Sequence, residues 1–153
     1  MKWFKYVLLI LFVVSGCATR RLLFKSSDVI GWELDNYEVY ESQKEFENVL
    51  DNVSLYMAYG LKKMFIQELS TKANNRVKIE IYFTDSNSSA RSLYRRYQSL
   101  FTVDVGESGS ESPGLLSFYR NKCFVKIYAI GNFPNQDQRL RTMGEQLDSK
   151  LNR

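Results

Sequence analysis

Histidine does not occur anywhere in the 153 residues. Its absence removes Ser–His and Cys–His nucleophile systems, imidazole general bases and His-ligated zinc sites. Cysteine occurs only twice, at Cys17 and Cys123. No G-x-S-x-G, P-loop, G-x-G-x-x-G or C-x-x-C is present. Carboxylate-only catalysis is the one enzymatic class left open. Glu38, Glu41, Glu45 and Glu47 cluster in sequence, but three of them flank or occupy a helix start, where acids complement the macrodipole. A glycosidase also needs a larger, cleft-bearing fold to hold two carboxyls at a set distance. The sequence therefore reads as non-enzymatic, with no metal site and no cofactor.

What is present begins with an address. Lys2 and Lys5 form a short positive stretch, Val7 to Val14 is an unbroken apolar run, and small Ser15 and Gly16 lead into Cys17. The apolar run is too short to span a bilayer and has the layout of a secretory signal, residues 1–16. Val14-Ser15-Gly16-Cys17 resembles a lipobox, the cleavage signal of bacterial lipoproteins. That resemblance implies acylation of Cys17, palmitate included, and a membrane-anchored protein of the cell envelope. Several acyl chains at about 0.8 kcal/mol per buried methylene hold durably. Ala18 is not Asp, which by the same resemblance implies the outer membrane, facing the periplasm, in a Gram-negative cell.

Removing residues 1–16 leaves 137 residues, enough for one core, with 19 basic against 17 acidic side chains. Nothing in that balance points to nucleic acid. The distribution is less even. Residues 17–27 carry Arg20, Arg21 and Lys25 and no acid, and residues 28–51 carry eight acids against Lys44. The segments either neutralise one another in the fold or, for the first three cations, meet anionic headgroups. With Cys17 acylated, Cys123 has no partner and reads as a small buried core residue.

Residues 17–30 look like a tether, and residues 31–153 like a single α+β domain. Tyr37 to Tyr40 suits a short edge strand. Ser42-Gln43-Lys44-Glu45 has the capping-box form, and the stripe Phe46, Val49, Leu50, Val53, Met57 predicts one helix over 42–58, stopped at Gly60. A strand over 61–69 and a turn at 72–75 follow. Val77, Ile79, Ile81 and Phe83 then alternate with polar residues, the clearest strand pattern in the chain. Asp85-Ser86-Asn87-Ser88 offers caps for a second helix bearing Ala90, Leu93, Tyr94, Tyr97, Leu100 and Phe101. Residues 104–114, rich in Gly and Ser, read as a loop. A hairpin over 115–120 and 122–130 precedes a closing helix, with Pro134 in its first turn and Leu140, Met143, Leu147 and Leu151 as its stripe.

The expected fold is an antiparallel sheet of four to five strands with about three helices, all on the Val77/Ile79/Ile81/Phe83 face. NNRVKIEIYF and RNKCFVKIYA look alike, and each is followed by a helix, so strand–strand–helix reads as a pseudo-repeat. The opposite face would present Lys78, Glu80 and Tyr82 beside Phe124, Lys126, Tyr128 and Ile130, with Glu80–Lys126 or Tyr82–Tyr128 as cross-strand pairs. That face is either an aromatic and charged platform for a partner or a surface partly covered by the N-terminal segment, with Trp32 lying on it. Arg91 and Arg95, four apart, share a second helix face, which is either a basic docking patch or an ordinary solvated side.

Gly31-Trp32, Tyr56, Tyr59-Gly60, the strand Val77–Phe83, Ala90 and the hairpin near Lys122–Tyr128 together resemble an uncharacterised family of bacterial secreted and lipoprotein domains. That family often carries Asn-Gly where this chain has Asn52-Val53, and Phe-Gly where it has Arg91-Ser92. It has no established activity to import. The functional expectation is a non-enzymatic lipoprotein that binds another envelope protein through its sheet face or basic helix. The alternative is a small-molecule or lipid binder with an aromatic-lined pocket between sheet and helices.

Overall fold

The computed structural model describes residues 20–153, so the signal and Cys17 lie outside the described residues. Seven strands form one antiparallel sheet: β1 (Glu33–Tyr40), β2 (Leu61–Ser70), β3 (Arg76–Thr84), β4 (Phe101–Val103), β5 (Ser108–Ser112), β6 (Leu115–Arg120) and β7 (Cys123–Ile130). Their order is β1-β2-β3-β7-β6-β5-β4. Four helices accompany them among the described residues: α1 (Gln43–Phe46), α2 (Val53–Ala58), α3 (Asn87–Tyr97) and α4 (Gln136–Leu151). None of these is long and apolar enough to cross a membrane.

The sheet therefore exceeds the four to five strands expected, and the fold is sheet-dominated. The additional strands are β4 and β5: β5 lies in the stretch read as a loop, and β4 begins at Phe101, which with Leu100 stands beyond the end of α3 at Tyr97 and not on the second helix as expected. Their composition hides them, because β5 is the sequence SGSES. It forms because β6 offers it a free edge, and because its one deeply buried hydroxyl, Ser110, is satisfied by Ser117 on β6 at 3.0 Å. Tertiary pairing has overridden local preference.

The helix expected over 42–58 is two. The capping box at Ser42 and Glu45 forms, but Asn52 accepts from the Leu55 N–H at 3.2 Å and caps a fresh start. An Asn in mid-pattern competes in this way with continuation of the helix. The break lets Phe46 and Tyr56 both reach the core. Gly60 then turns the chain at φ 72°, and a Cβ there would strike the Asp85 carboxyl. Asn74 and Asn121 take positive φ in the two hairpin turns, as Asn tolerates. Pro134 stands one place before the α4 N-cap, Asn135, and so outside the first turn.

The helices also occupy both faces rather than one. Leu140, Met143 and Leu147 of α4 pack with Val77, Ile79, Ile81, Val125 and Ile127. Phe46 of α1, Tyr56 of α2, and Ala90, Leu93 and Tyr94 of α3 pack with Met64, Ile66, Tyr82 and Phe124 on the opposite side. Successive strand residues point to opposite faces, and in the central strands β3 and β7 both sets carry large side chains to cover. The proposed repeat fails on this point. A two-fold axis relating antiparallel β3 and β7 stands perpendicular to the sheet and would place both following helices on one side; α3 and α4 lie on opposite sides.

Residues 20–32 join the α4 face. Leu22, Phe24 and Trp32 are buried there, and Trp32 meets Phe133 with ring centres 5.6 Å apart. The far sheet face is thus covered by α1–α3, not by the N-terminal segment or Trp32. Buried Gln67 on β2 explains the docking. Its carbonyl accepts from the Phe24 N–H and its amide donates to the Leu22 carbonyl, each at 3.1 Å. One side chain satisfies two backbone groups that would otherwise be stranded.

Candidate functional site: an aromatic groove over β3 and β7

Register places the site. Antiparallel pairing sets Glu80 opposite Lys126, Tyr82 opposite Phe124 and Lys78 opposite Tyr128. The Glu80–Lys126 pair is therefore real, whereas Tyr82 and Tyr128 are not opposite one another. All six share the face roofed by α2 and α3. Because α1 and α2 are only four and six residues long, the roof is incomplete. A cavity of about 550 Å³ remains, with Val49, Leu50 and Leu115 among its lining and Asp51 and Asn52 beside them.

Four rings surround the inner end of this groove. Tyr56 stacks on Tyr82 at 5.1 Å and on Tyr97 at 5.8 Å, and Phe124 lies 5.5 Å from Tyr82 and 5.9 Å from Tyr97. Each interplanar angle is 26° or less, so the rings form a closed box of near-parallel faces. The Lys126 Nζ caps it, 4.3 Å from the Tyr97 ring centre and 5.4 Å from that of Tyr82. Ring faces attract a cation, most strongly where water is scarce. Burial pushes the Lys126 ammonium below the usual lysine range, while the Glu80 carboxylate pulls the other way. Of its three N–H donors, one has a hydrogen-bond partner among the described residues, the Tyr56 hydroxyl at 3.4 Å.

Glu80 is differently placed. The hydroxyls of Tyr82 and Tyr128 donate to its carboxylate at 2.6 Å and 2.8 Å, and the Lys78 ammonium lies at 3.4 Å. Burial, then the Glu80 charge, raises both phenols well above the ordinary tyrosine value. They remain neutral donors, and both Glu80 oxygens are engaged. It acts as a keystone for the two tyrosines.

Glu80, Tyr82, Lys126 and Tyr128 are thus brought together as the floor of a covered groove and not as an open platform, with Lys78 beside Glu80 but outside the lining. Arg91 and Arg95 stand apart from it. Ala90, Leu93 and Tyr94 are the buried residues of α3, while both arginines are exposed, and neither forms an ion pair among the described residues. Sequence reasoning missed Tyr56 and Tyr97 as site residues, since on a helix stripe an aromatic that lines a groove looks the same as one that fills a core. Cys123 is buried, and burial pushes its thiol up to about 12.

No protein-family model matches the chain, and no curated protein or solved structure is significantly similar to it. The site is read from its own chemistry.

Proposed function

We propose that this protein is a lipid-anchored, non-enzymatic binding protein of a bacterial cell envelope that holds a small ligand in the aromatic groove. Cys17 carries the anchor, on the periplasmic side of the outer membrane in a Gram-negative cell. The single observation that carries the binding reading is Lys126, a half-buried ammonium with unused donors at the inner end of a cavity lined by rings and aliphatic side chains. Such a site fits a ligand with a flat or apolar body and an anionic group to meet the ammonium. A charge-assisted hydrogen bond in a partly dry site is strong enough to orient the ligand. Glu80 and its tyrosines hold the floor rigid.

The probe is 8-anilinonaphthalene-1-sulfonate, an aromatic anion, titrated into the purified full chain. We expect a saturable fluorescence rise at one probe per chain, weakened about tenfold or more in Lys126→Gln, the scale of a lost charged hydrogen bond. Equal binding by Lys126→Gln overturns the groove reading. The anchor is tested separately: Cys17→Ser should release the protein from membranes or stall its maturation, and unchanged fractionation sinks it.

A protein partner is the second reading, supported by the two exposed, unpaired arginines on α3. An acidic envelope protein would be lost from co-purification on Arg91→Glu/Arg95→Glu, with probe binding in the groove unchanged.

A further inference from the structure

A second cavity, about 630 Å³, lies between the N-terminal segment and the end of α4, lined by Arg20, Arg21, Lys25, Lys150 and Arg153 with Asp28 as its one acid. We infer that this cleft seats the headgroups of anionic lipids and so holds the domain against the membrane that anchors it. The inference rests on the lipid anchor proposed above and is independent of what the groove binds.

The cations are fixed in place from two sides. Gln67 clasps the backbone at Leu22 and Phe24. On α4, the Lys150 ammonium donates to the Leu23 carbonyl at 2.9 Å and to the Asp28 carboxylate at 2.7 Å, and it lies 5.3 Å from the Phe24 ring centre. The segment from Leu22 to Asp28 is therefore part of the fold, not a loose leash. Lys150 has its counter-ion in Asp28. Arg20, Arg21, Lys25 and Arg153 are exposed and have no ion pair among the described residues. A cation at the end of α4 complements the helix dipole, which accounts for Lys150 and Arg153. It does not account for three more cations brought to the same cleft by a separate segment.

Covalent reach supplies the partner. Residue 17 precedes Arg20 by three positions, so the two Cα atoms are at most about 11 Å apart. Acyl chains on residue 17 put the cleft at headgroup depth, about one screening length from the lipid phosphates. Guanidinium forks match phosphate oxygens, and Ser27 and Ser149 in the lining add hydroxyl donors.

The test is native mass spectrometry of the full-length protein in neutral detergent, with equal phosphatidylglycerol and phosphatidylcholine. We expect phosphatidylglycerol adducts to be favoured about tenfold, as a few surface charges allow. The preference should vanish in Arg20→Gln/Arg21→Gln/Lys25→Gln/Arg153→Gln and survive in Arg20→Lys/Arg21→Lys/Lys25→Arg/Arg153→Lys. Equal adducts of the two lipids in the parent chain overturn the inference. So does inorganic phosphate displacing the anionic lipid at equal concentration, which would reassign the cleft to a free ion. The same spectrum reads the covalent mass on Cys17. An acylated chain with no lipid preference overturns the cleft and leaves the anchor, whereas a chain without acyl mass overturns the anchor and the inference with it.

Discussion

One sheet has two unlike faces. On the α4 side, Val77, Ile79, Ile81, Val125, Ile127 and Phe118 are wholly buried beneath a 16-residue helix and the docked N-terminal segment. On the other side the same strands place Glu80, Lys126, Tyr82 and Tyr128 under three shorter helices. A long helix seals an apolar face, so any polar group beneath it must find protein partners, as Gln67 does. A roof of short pieces leaves a gap where a charge keeps contact with water, and this is the face that can hold a ligand. The proposed binding site lies where closure is incomplete.

That contrast can be broken most directly in the two cores. Phe118→Ala on the sealed face should cost about 4 kcal/mol, and Phe124→Ala on the groove face at least about 1 kcal/mol less, because a cavity open to water relaxes more readily. Urea unfolding measures both, and equal losses would show that the second face is sealed too. Next comes Gln67→Leu, which strands the Phe24 N–H and the Leu22 carbonyl. It should cost about 2–4 kcal/mol and speed hydrogen exchange at the Phe24 amide. A neutral result would mean that the N-terminal segment is not bound to the sealed face.

Alkali should expose a smaller difference. Cys123 and the tyrosines 56, 82 and 128 hold their protons more tightly when folded, burial being the first cause for each. The folded state then binds more protons than the unfolded chain, so stability present at neutral pH falls as pH rises. The fall begins at about pH 8, where an unfolded thiol starts to ionise, and steepens from about 9–10 as unfolded phenols follow. Lys126, whose pKa moves down, opposes this below about 10.5. Melting curves across pH 8–11 should fall less steeply in Cys123→Ala and in Tyr82→Phe than in the parent chain. Smallest of all, Arg91→Gln/Arg95→Gln should shift Tm by no more than about 2 °C, since both side chains are solvated and unpaired. A larger shift would give the outer side of α3 a structural role it shows no sign of.

Much of this was legible in residue order. The strand alternation at Val77–Phe83, the Asn74 and Asn121 turns, the capping box at Ser42 and the closing helix stripe all follow from local periodicity and turn chemistry, and each is found. Glu80–Lys126 was one of two cross-strand pairs expected, and the register between the non-consecutive strands β3 and β7 decided for it and against Tyr82–Tyr128. The site was half legible: Lys78, Glu80, Tyr82, Lys126 and Tyr128 were named as one surface, but that surface is roofed by helices and is neither an open platform nor covered by the N-terminal segment. What hid the rest was non-local. SGSES has no strand signature until β6 presents its edge, and Asn52 cuts a helix whose apolar stripe runs on through it.

The sequence by itself determined the central strands β3 and β7 and their facing sets, because these depend on neighbours a few residues apart. Only the tertiary structure decided which face each helix covers, that Tyr56 and Tyr97 close a ring box capped by Lys126, and that residues 22–28 are held beside the end of α4. Those outcomes depend on contacts between segments tens of residues apart, and alternation alone assigns no helix to either side of a sheet.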